Sequence, residues 1–144
     1  MGAQEERVVL EFLRATEGLT LDVEAMCALM SEDFVWQVNV PLAPVLVGRD
    51  AARAEIERQN TVATGMQPGS KIRSIASNEG TVFTERIDVV RIAGNTISFH
   101  INGVFEVRNG EICAWREYFD TTDPAQRLGV DPNLFYTGIG TSGR

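Results

Sequence analysis

An arginine and two carboxylates are the residues of this 144-residue chain whose types and spacing best suit chemistry. Arg86 and Asp88 are two residues apart in a strand-like run, and strand side chains alternate, so both point to one face. Glu117 follows in a later strand-like run, between the aromatic residues Trp115 and Phe119. If the three charged groups meet in an apolar pocket, their proximity would drive the two carboxylate pKa values apart. One proton donor and one acceptor would then be present near neutral pH.

The alternation of side chains predicts which face of each strand is covered. Between residues 96 and 106 the odd positions are mostly apolar and the even ones mostly polar, so the odd face is the covered one. The same parity in the last strand places Glu117 on an apolar wall. The strand of Arg86 and Asp88 has apolar residues on both faces, so its cavity face is less clear. Two interpretations stay open: a catalytic group, or salt bridges that only hold neighbouring strands together.

Other reactive side chains are poorly placed for catalysis. His100, the only histidine, lies on the polar face of its strand, which disfavours histidine acid–base chemistry. Cys27 and Cys113 are far apart and lack a metal-binding spacing, so we expect two reduced, mostly buried thiols. The sequence has no glycine-rich phosphate loop and no Gly-x-Ser-x-Gly turn. It therefore predicts neither a metal nor a cofactor.

The composition predicts one acidic globular domain over residues 1–144, with a loose tail after about residue 121. The net charge is −7 and Lys71 is the only lysine, which argues against nucleic acid and anionic membranes as partners. No apolar run reaches the roughly 20 residues that a membrane helix needs. Residues 1–6 are acidic and lack the apolar segment of a secretory signal, so we expect a cytoplasmic protein.

Helical periodicity fills the first third of the chain and strand periodicity the second half. The predicted helices are 5–19, a second from Thr20 or Asp22 to Met30, and 50–63; the predicted strands are 34–40, 70–77, 81–92, 96–107 and 111–119. Asn109-Gly110 is a strong hairpin signal, and one helical turn is expected at 124–128. We predict an α+β domain with a cone-shaped, curved, mixed but mostly antiparallel sheet and helices packed on one side.

The mouth of such a cone is the natural ligand pocket. The residues that we expect to line it are Trp36, Val90, Phe99, Ile101, Trp115 and Phe119. The methionine and cysteine stripe of the second helix, which includes Met26 and Cys27, is interpreted as core filling, because methionine packs irregular gaps well.

Several segments resemble the limonene-1,2-epoxide hydrolase family. The likeness runs from about residue 32 to residue 120, in the same order and with near-equal spacing. It is carried by Thr-Glu-Arg-Ile-Asp-Val at 84–89, Gly-Val-Phe-Glu-Val at 103–107 before the Asn-Gly turn, Trp-Arg-Glu-Tyr-Phe-Asp at 115–120, and Asn-Val-Pro-Leu-Ala-Pro at 39–44 before Gly-Arg-Asp-Ala at 48–51. The resemblance implies a cone-shaped α+β barrel of the nuclear transport factor 2 or cystatin-like kind, usually a homodimer. It also implies cofactor-free addition of water to a small or medium lipophilic epoxide.

Carried over by position, the resemblance makes Asp88 the acid that protonates the epoxide oxygen. Glu117 becomes the base that deprotonates the attacking water, and Arg86 bridges the two. Asn39 matches an asparagine that helps to hold the water, and Gln37 stands where the family has a tyrosine water ligand. Glu117 itself stands where the family has aspartate. Polyketide-cyclase-like enzymes, isomerases and non-catalytic ligand-binding proteins share this fold and stay open as alternatives.

Overall fold

A six-stranded mixed sheet forms one wall of the protein in the computed structural model, which describes residues 2–132. In spatial order its strands are β2 (Val45–Val47), β1 (Met30–Gln37), β6 (Glu111–Phe119), β5 (Asn95–Arg108), β4 (Thr81–Ile92) and β3 (Lys71–Asn78). β1 and β6 run parallel, and every other neighbouring pair runs antiparallel. The predicted α+β class, with a mixed but mostly antiparallel sheet, is confirmed. The end of the predicted tail, from residue 133, lies outside the described residues.

Three tight turns connect the last four strands. Their central residues, Glu79-Gly80, Ala93-Gly94 and Asn109-Gly110, all have positive φ. Two successive positive φ values match the twist of the flanking strands, and Asn-Gly adopts them at little cost. The predicted bounds of these four strands therefore agree with the structure to within one residue. Register shifts in β3 and β6 add local bends, which help the sheet to curve.

The described residues form four helices: α1 (Gly2–Arg14), α2 (Val23–Ala28), α3 (Arg49–Val62) and α4 (Thr122–Leu128). α1 packs across β3 to β6, α3 packs against β1, β2 and α2, and α4 packs against β5. Within residues 2–132, no helix is long and apolar enough to cross a membrane. The helical turn that was predicted near residues 124–128 is confirmed as part of α4.

The first third of the chain departs from its predicted boundaries. α1 ends at Arg14, several residues before the predicted end. α2 begins after its N-cap Asp22 but ends at Ala28, and Met30 instead opens β1, where it pairs with β6. Pairing with β6 outweighs the local helical pattern. The short edge strand Val45–Val47 was not predicted, since three residues carry no measurable periodicity.

The core lies between the inner face of the sheet and the helices. Phe12 of α1 makes edge contacts with Phe105 and Trp115, at centroid distances of 6.2 and 5.1 Å. Met26 and Cys27 of α2 belong to the same buried cluster, as predicted. Met26 and Trp115 also line a cavity that opens between the sheet and the helices.

Candidate active site

The cavity has a volume of about 440 Å³ and opens between the sheet and the helices. All six residues of the predicted pocket line it: Trp36, Val90, Phe99, Ile101, Trp115 and Phe119. The facing wall, which sequence reasoning missed, comes from helices and loops and includes Leu13, Leu21, Met66, Leu128 and Val130. Strand alternation carries no information about these residues, because they reach the cavity only through tertiary packing.

Arg86 joins both carboxylates on the sheet wall of the cavity. Its Nε and Nη2 donate to the two oxygens of Asp88 at 3.3 and 3.1 Å. Its Nη1 and Nη2 donate to the two oxygens of Glu117, each at 3.0 Å. The remaining Nη1 hydrogen is directed to the hydroxyl of Thr84 at 3.2 Å. All five N–H bonds of the guanidinium therefore donate a hydrogen bond, and these bonds hold both carboxylates in fixed positions around it.

Gly103 makes this bridge possible. Arg86 is on β4 and Glu117 on β6, and β5 lies between them with Gly103 paired to both Thr84 and Glu117. A Cβ at position 103 would lie 2.7 Å from Arg86 Nη1, 2.8 Å from Glu117 Oε2 and 2.9 Å from Thr84 Oγ1. Sequence reasoning gave no structural role to Gly103 or Thr84. A glycine inside a strand is the available signal, since it often marks a close approach.

The two carboxylates occupy different environments. Arg86 and Glu117 are 4% and 7% exposed, whereas the side chain of Asp88 is 18% exposed. Burial alone lowers the pKa of Arg86, but Glu117 and Asp88 outweigh it and hold that pKa above its ordinary value. Burial raises the pKa of Glu117; Arg86 opposes the rise and the charge of Asp88 adds to it. Glu117 is therefore a stronger base than an exposed glutamate.

The residues predicted to hold water are not on the cavity wall. In β1 it is Trp36 that faces the cavity, so Gln37 points away and donates to the carbonyl of Ala43 at 3.0 Å. Asn39 is 2% exposed and donates to the carbonyl of Phe119 at 3.0 Å, next to the end of β6. The structure thus places Gln37 outside the site. It places Asn39 where it anchors the strand that carries the buried carboxylate.

Other reactive side chains do not join the site. His100 is exposed. Cys27 and Cys113 are free, and burial raises the pKa of both thiols, which disfavours a thiolate nucleophile. Among residues 2–132, no three histidine, cysteine, aspartate or glutamate side chains converge as a metal site requires.

Comparison with known proteins defines the family. The model of the limonene-1,2-epoxide hydrolase catalytic domain matches residues 3–128. The epoxide hydrolase EphG of Mycobacterium tuberculosis is 33% identical over 102 residues, which cover 71% of this chain and 65% of that protein. The chain belongs to the limonene-1,2-epoxide hydrolase family, as its sequence motifs predicted.

Solved structures agree with this assignment. A limonene-epoxide-hydrolase-like epoxide hydrolase from M. tuberculosis superposes with a TM-score of 0.73 at 30% identity, over 88% of this chain and 90% of that one. A protein provisionally described as a polyketide cyclase, from Xanthomonas campestris, gives a TM-score of 0.74 at 20% identity, over 88% and 97%. The second likeness shows the shared fold alone.

Replacing Gly103 with alanine should disrupt the bridge between the strands. The new methyl group would overlap Arg86 and Glu117, so we expect a loss of about 1–3 kcal/mol in the free energy of unfolding. Urea denaturation measures this loss. The control is Asn102→Ala, next in the strand and exposed, which should change stability by less than about 0.5 kcal/mol. Equal stability of both variants would contradict the close approach at Gly103.

Replacing Arg86 with methionine should leave Glu117 buried without its cation. We expect a loss of about 3–5 kcal/mol at neutral pH. The raised pKa of Glu117 should rise further, so the loss shrinks as lower pH protonates this carboxyl and grows as pH rises through its folded-state pKa. Urea denaturation at two pH values tests both points. Arg116→Met, which breaks the half-exposed pair with Glu106, is the control; a loss of equal size there would contradict the assigned role of Arg86.

Proposed function

We propose that this protein is a cofactor-independent epoxide hydrolase that adds water to a small or medium lipophilic epoxide and forms a vicinal diol. The observation that carries the proposal is the single guanidinium that holds two carboxylates on the wall of an apolar cavity. Membership of the family and the likeness to EphG support the same reaction.

The proposed reaction is one concerted step. Glu117 takes a proton from a water molecule, and the water oxygen bonds to one epoxide carbon. The bond between that carbon and the epoxide oxygen breaks, and the oxygen keeps the electron pair and takes a proton from Asp88. Glu117 ends protonated and Asp88 ends ionised. Return of one proton from Glu117 to Asp88 restores the starting state.

The burial of Glu117 supports its role as the base. A buried base with a raised pKa is a better proton acceptor near neutral pH, which fits Glu117. Asp88 is the more exposed carboxylate and lines the cavity, where an epoxide oxygen can reach it. Arg86 has no spare N–H, so it acts by fixing the two carboxylates and by balancing their charge as the proton moves.

The cavity indicates the size and polarity of the substrate. A volume of about 440 Å³ lies in the range of pockets that enclose a small organic molecule. Its wall is mostly aliphatic and aromatic, and Arg86, Asp88 and Glu117 supply the charged groups of its sheet side. A lipophilic epoxide would bury its hydrocarbon body against this wall and present its one oxygen to the charged groups.

Epoxide turnover in heavy-oxygen water tests the proposal. We expect cyclic or terminal epoxides to give diol that carries one labelled oxygen, with no metal added. Asp88→Asn and Glu117→Gln should each lower kcat/KM by about 10²–10⁴-fold, since each removes a proton-transfer group. Asp33→Asn makes the same chemical change in an exposed pair with Arg108 and should leave the rate unchanged.

The outcomes separate the candidate functions. Conversion without solvent oxygen would point to the cyclase or isomerase alternative. Ligand-dependent thermal stabilisation without turnover would point to a binding protein. Failure to convert any epoxide in the panel, with Asp88→Asn behaving as the unmodified protein, would rule out the hydrolase.

We also propose a homodimer, as the family resemblance implies, with the cytoplasm as its compartment. Phe83 and Tyr118 are 45% and 42% exposed, and their strand parity places both on the outer face of the sheet. Light scattering should give twice the chain mass of 15.9 kDa, and Phe83→Asp should shift the species towards one chain. A single-chain mass for the unmodified protein would contradict the dimer. Cell fractionation tests the compartment.

A further inference from the structure

Two indole N–H groups on the cavity wall have no hydrogen-bond partner. Trp36 and Trp115 are 2% and 5% exposed, and both line the cavity. Within residues 2–132, their Nε1 atoms are the buried side-chain nitrogen and oxygen atoms that lack a partner. Buried donors are nearly always satisfied in folded proteins, so an unpaired donor that borders a cavity indicates a ligand atom.

Packing fixes the orientation of these rings. Trp36 of β1 is the register partner of Trp115 of β6, and the two rings stack at 4.5 Å with an interplanar angle of 7°. The Phe105 ring stacks on the Trp115 ring with 5.6 Å between the ring centroids, and the Phe12 ring contacts the Trp115 ring edge-on at a centroid distance of 5.1 Å. These contacts on several sides hold the Trp115 ring in one orientation at the cavity wall.

The Trp115 indole is close to the proposed base. Trp115 and Glu117 are two residues apart on the inner face of β6. Burial raises the pKa of Glu117, and the Trp115 indole is one of the groups, after Arg86, that oppose this rise. Yet the indole N–H makes no complete hydrogen bond to any described residue. Both groups border the cavity, so one molecule in contact with both would accept from the indole and donate to the carboxylate.

We propose that the Trp115 N–H and the Glu117 carboxylate together bind the attacking water, an inference that rests on the proposed hydrolysis. The water oxygen accepts from Nε1–H and donates one hydrogen to Glu117. One lone pair is left to attack the epoxide carbon, so the proton and electron balance of the reaction is unchanged. An indole holds the oxygen without protonating it, because it is a donor only. After reaction, the new hydroxyl of the diol occupies the same place.

Nuclear magnetic resonance reads this contact directly. The chain has two tryptophans, so its ¹H–¹⁵N spectrum contains two indole signals, and Trp36→Phe assigns them. Titration with trans-1,2-cyclohexanediol should move the Trp115 signal downfield and the Trp36 signal less, because Trp36 is one strand farther from Glu117. Trp115→Phe keeps the ring stack and removes the donor, and it should weaken diol binding by about 2- to 10-fold.

Kinetics supply a second measurement. Trp115→Phe should lower kcat more than it raises KM. It should also move the acid limb of the kcat/KM profile to higher pH, because the pKa of Glu117 rises when a donor is lost. Trp36→Phe makes the same change in the partner ring and should leave the acid limb in place. Thermal unfolding measurements test whether both variants are folded.

The outcomes distinguish this inference from the proposed function. If epoxides are hydrolysed but Trp115→Phe keeps the unmodified kcat and acid limb, the water site is overturned and the hydrolase stands. If no epoxide is hydrolysed, the role of Trp115 in binding the attacking water is ruled out together with the proposed function. The diol titration then decides separately whether the indole binds an oxygen ligand: a shift of the Trp115 signal supports that contact, and an unmoved signal overturns it.

Discussion

The contact of one guanidinium with two carboxylates across a glycine is the constraint on which the rest of the structure depends. Arg86 and Glu117 lie on strands that are not neighbours, and they meet only because Gly103 of the intervening strand has no side chain. Three strands must therefore keep one register, because a shift of any of them would break the two contacts between Arg86 and Glu117. Burying three charged groups contributes little stability compared with apolar packing of the same volume. Such a cluster is better explained by chemistry than by folding.

Strand alternation located the candidate groups because it is a local property of the chain, although it left the cavity face of β4 open. Arg86 and Asp88 share a face by spacing alone, and the parity of β6 placed Glu117 on an apolar wall beside Trp115. The hairpins were also predicted from the sequence, since a pair such as Asn109-Gly110 determines both the turn type and the register of its strands. In this half of the chain, residue spacing predicts most of the strand pairing and side-chain orientation.

The other half depends on contacts that no local pattern records. Met30 fits a helical stripe, but it pairs with Ile112 of β6 and opens a strand. The family resemblance predicted that Gln37 holds the water. In the structure, the alternation of side chains along β1 directs Gln37 away from the cavity and Trp36 towards it. The helical wall of the cavity was missed for the same reason. The first two features follow from the pairing of β1 with β6, and the third from the packing of helices and loops against the sheet.

The stacked indole pair gives the protein a built-in optical probe. Both tryptophans of the chain lie on the cavity wall, so its near-ultraviolet absorbance and emission come largely from rings that any bound molecule would touch. Parallel rings 4.5 Å apart also couple electronically, and a small change in their angle alters the circular dichroism of the pair. Filling of the cavity can therefore be followed without a label, a coupled assay or a coloured substrate.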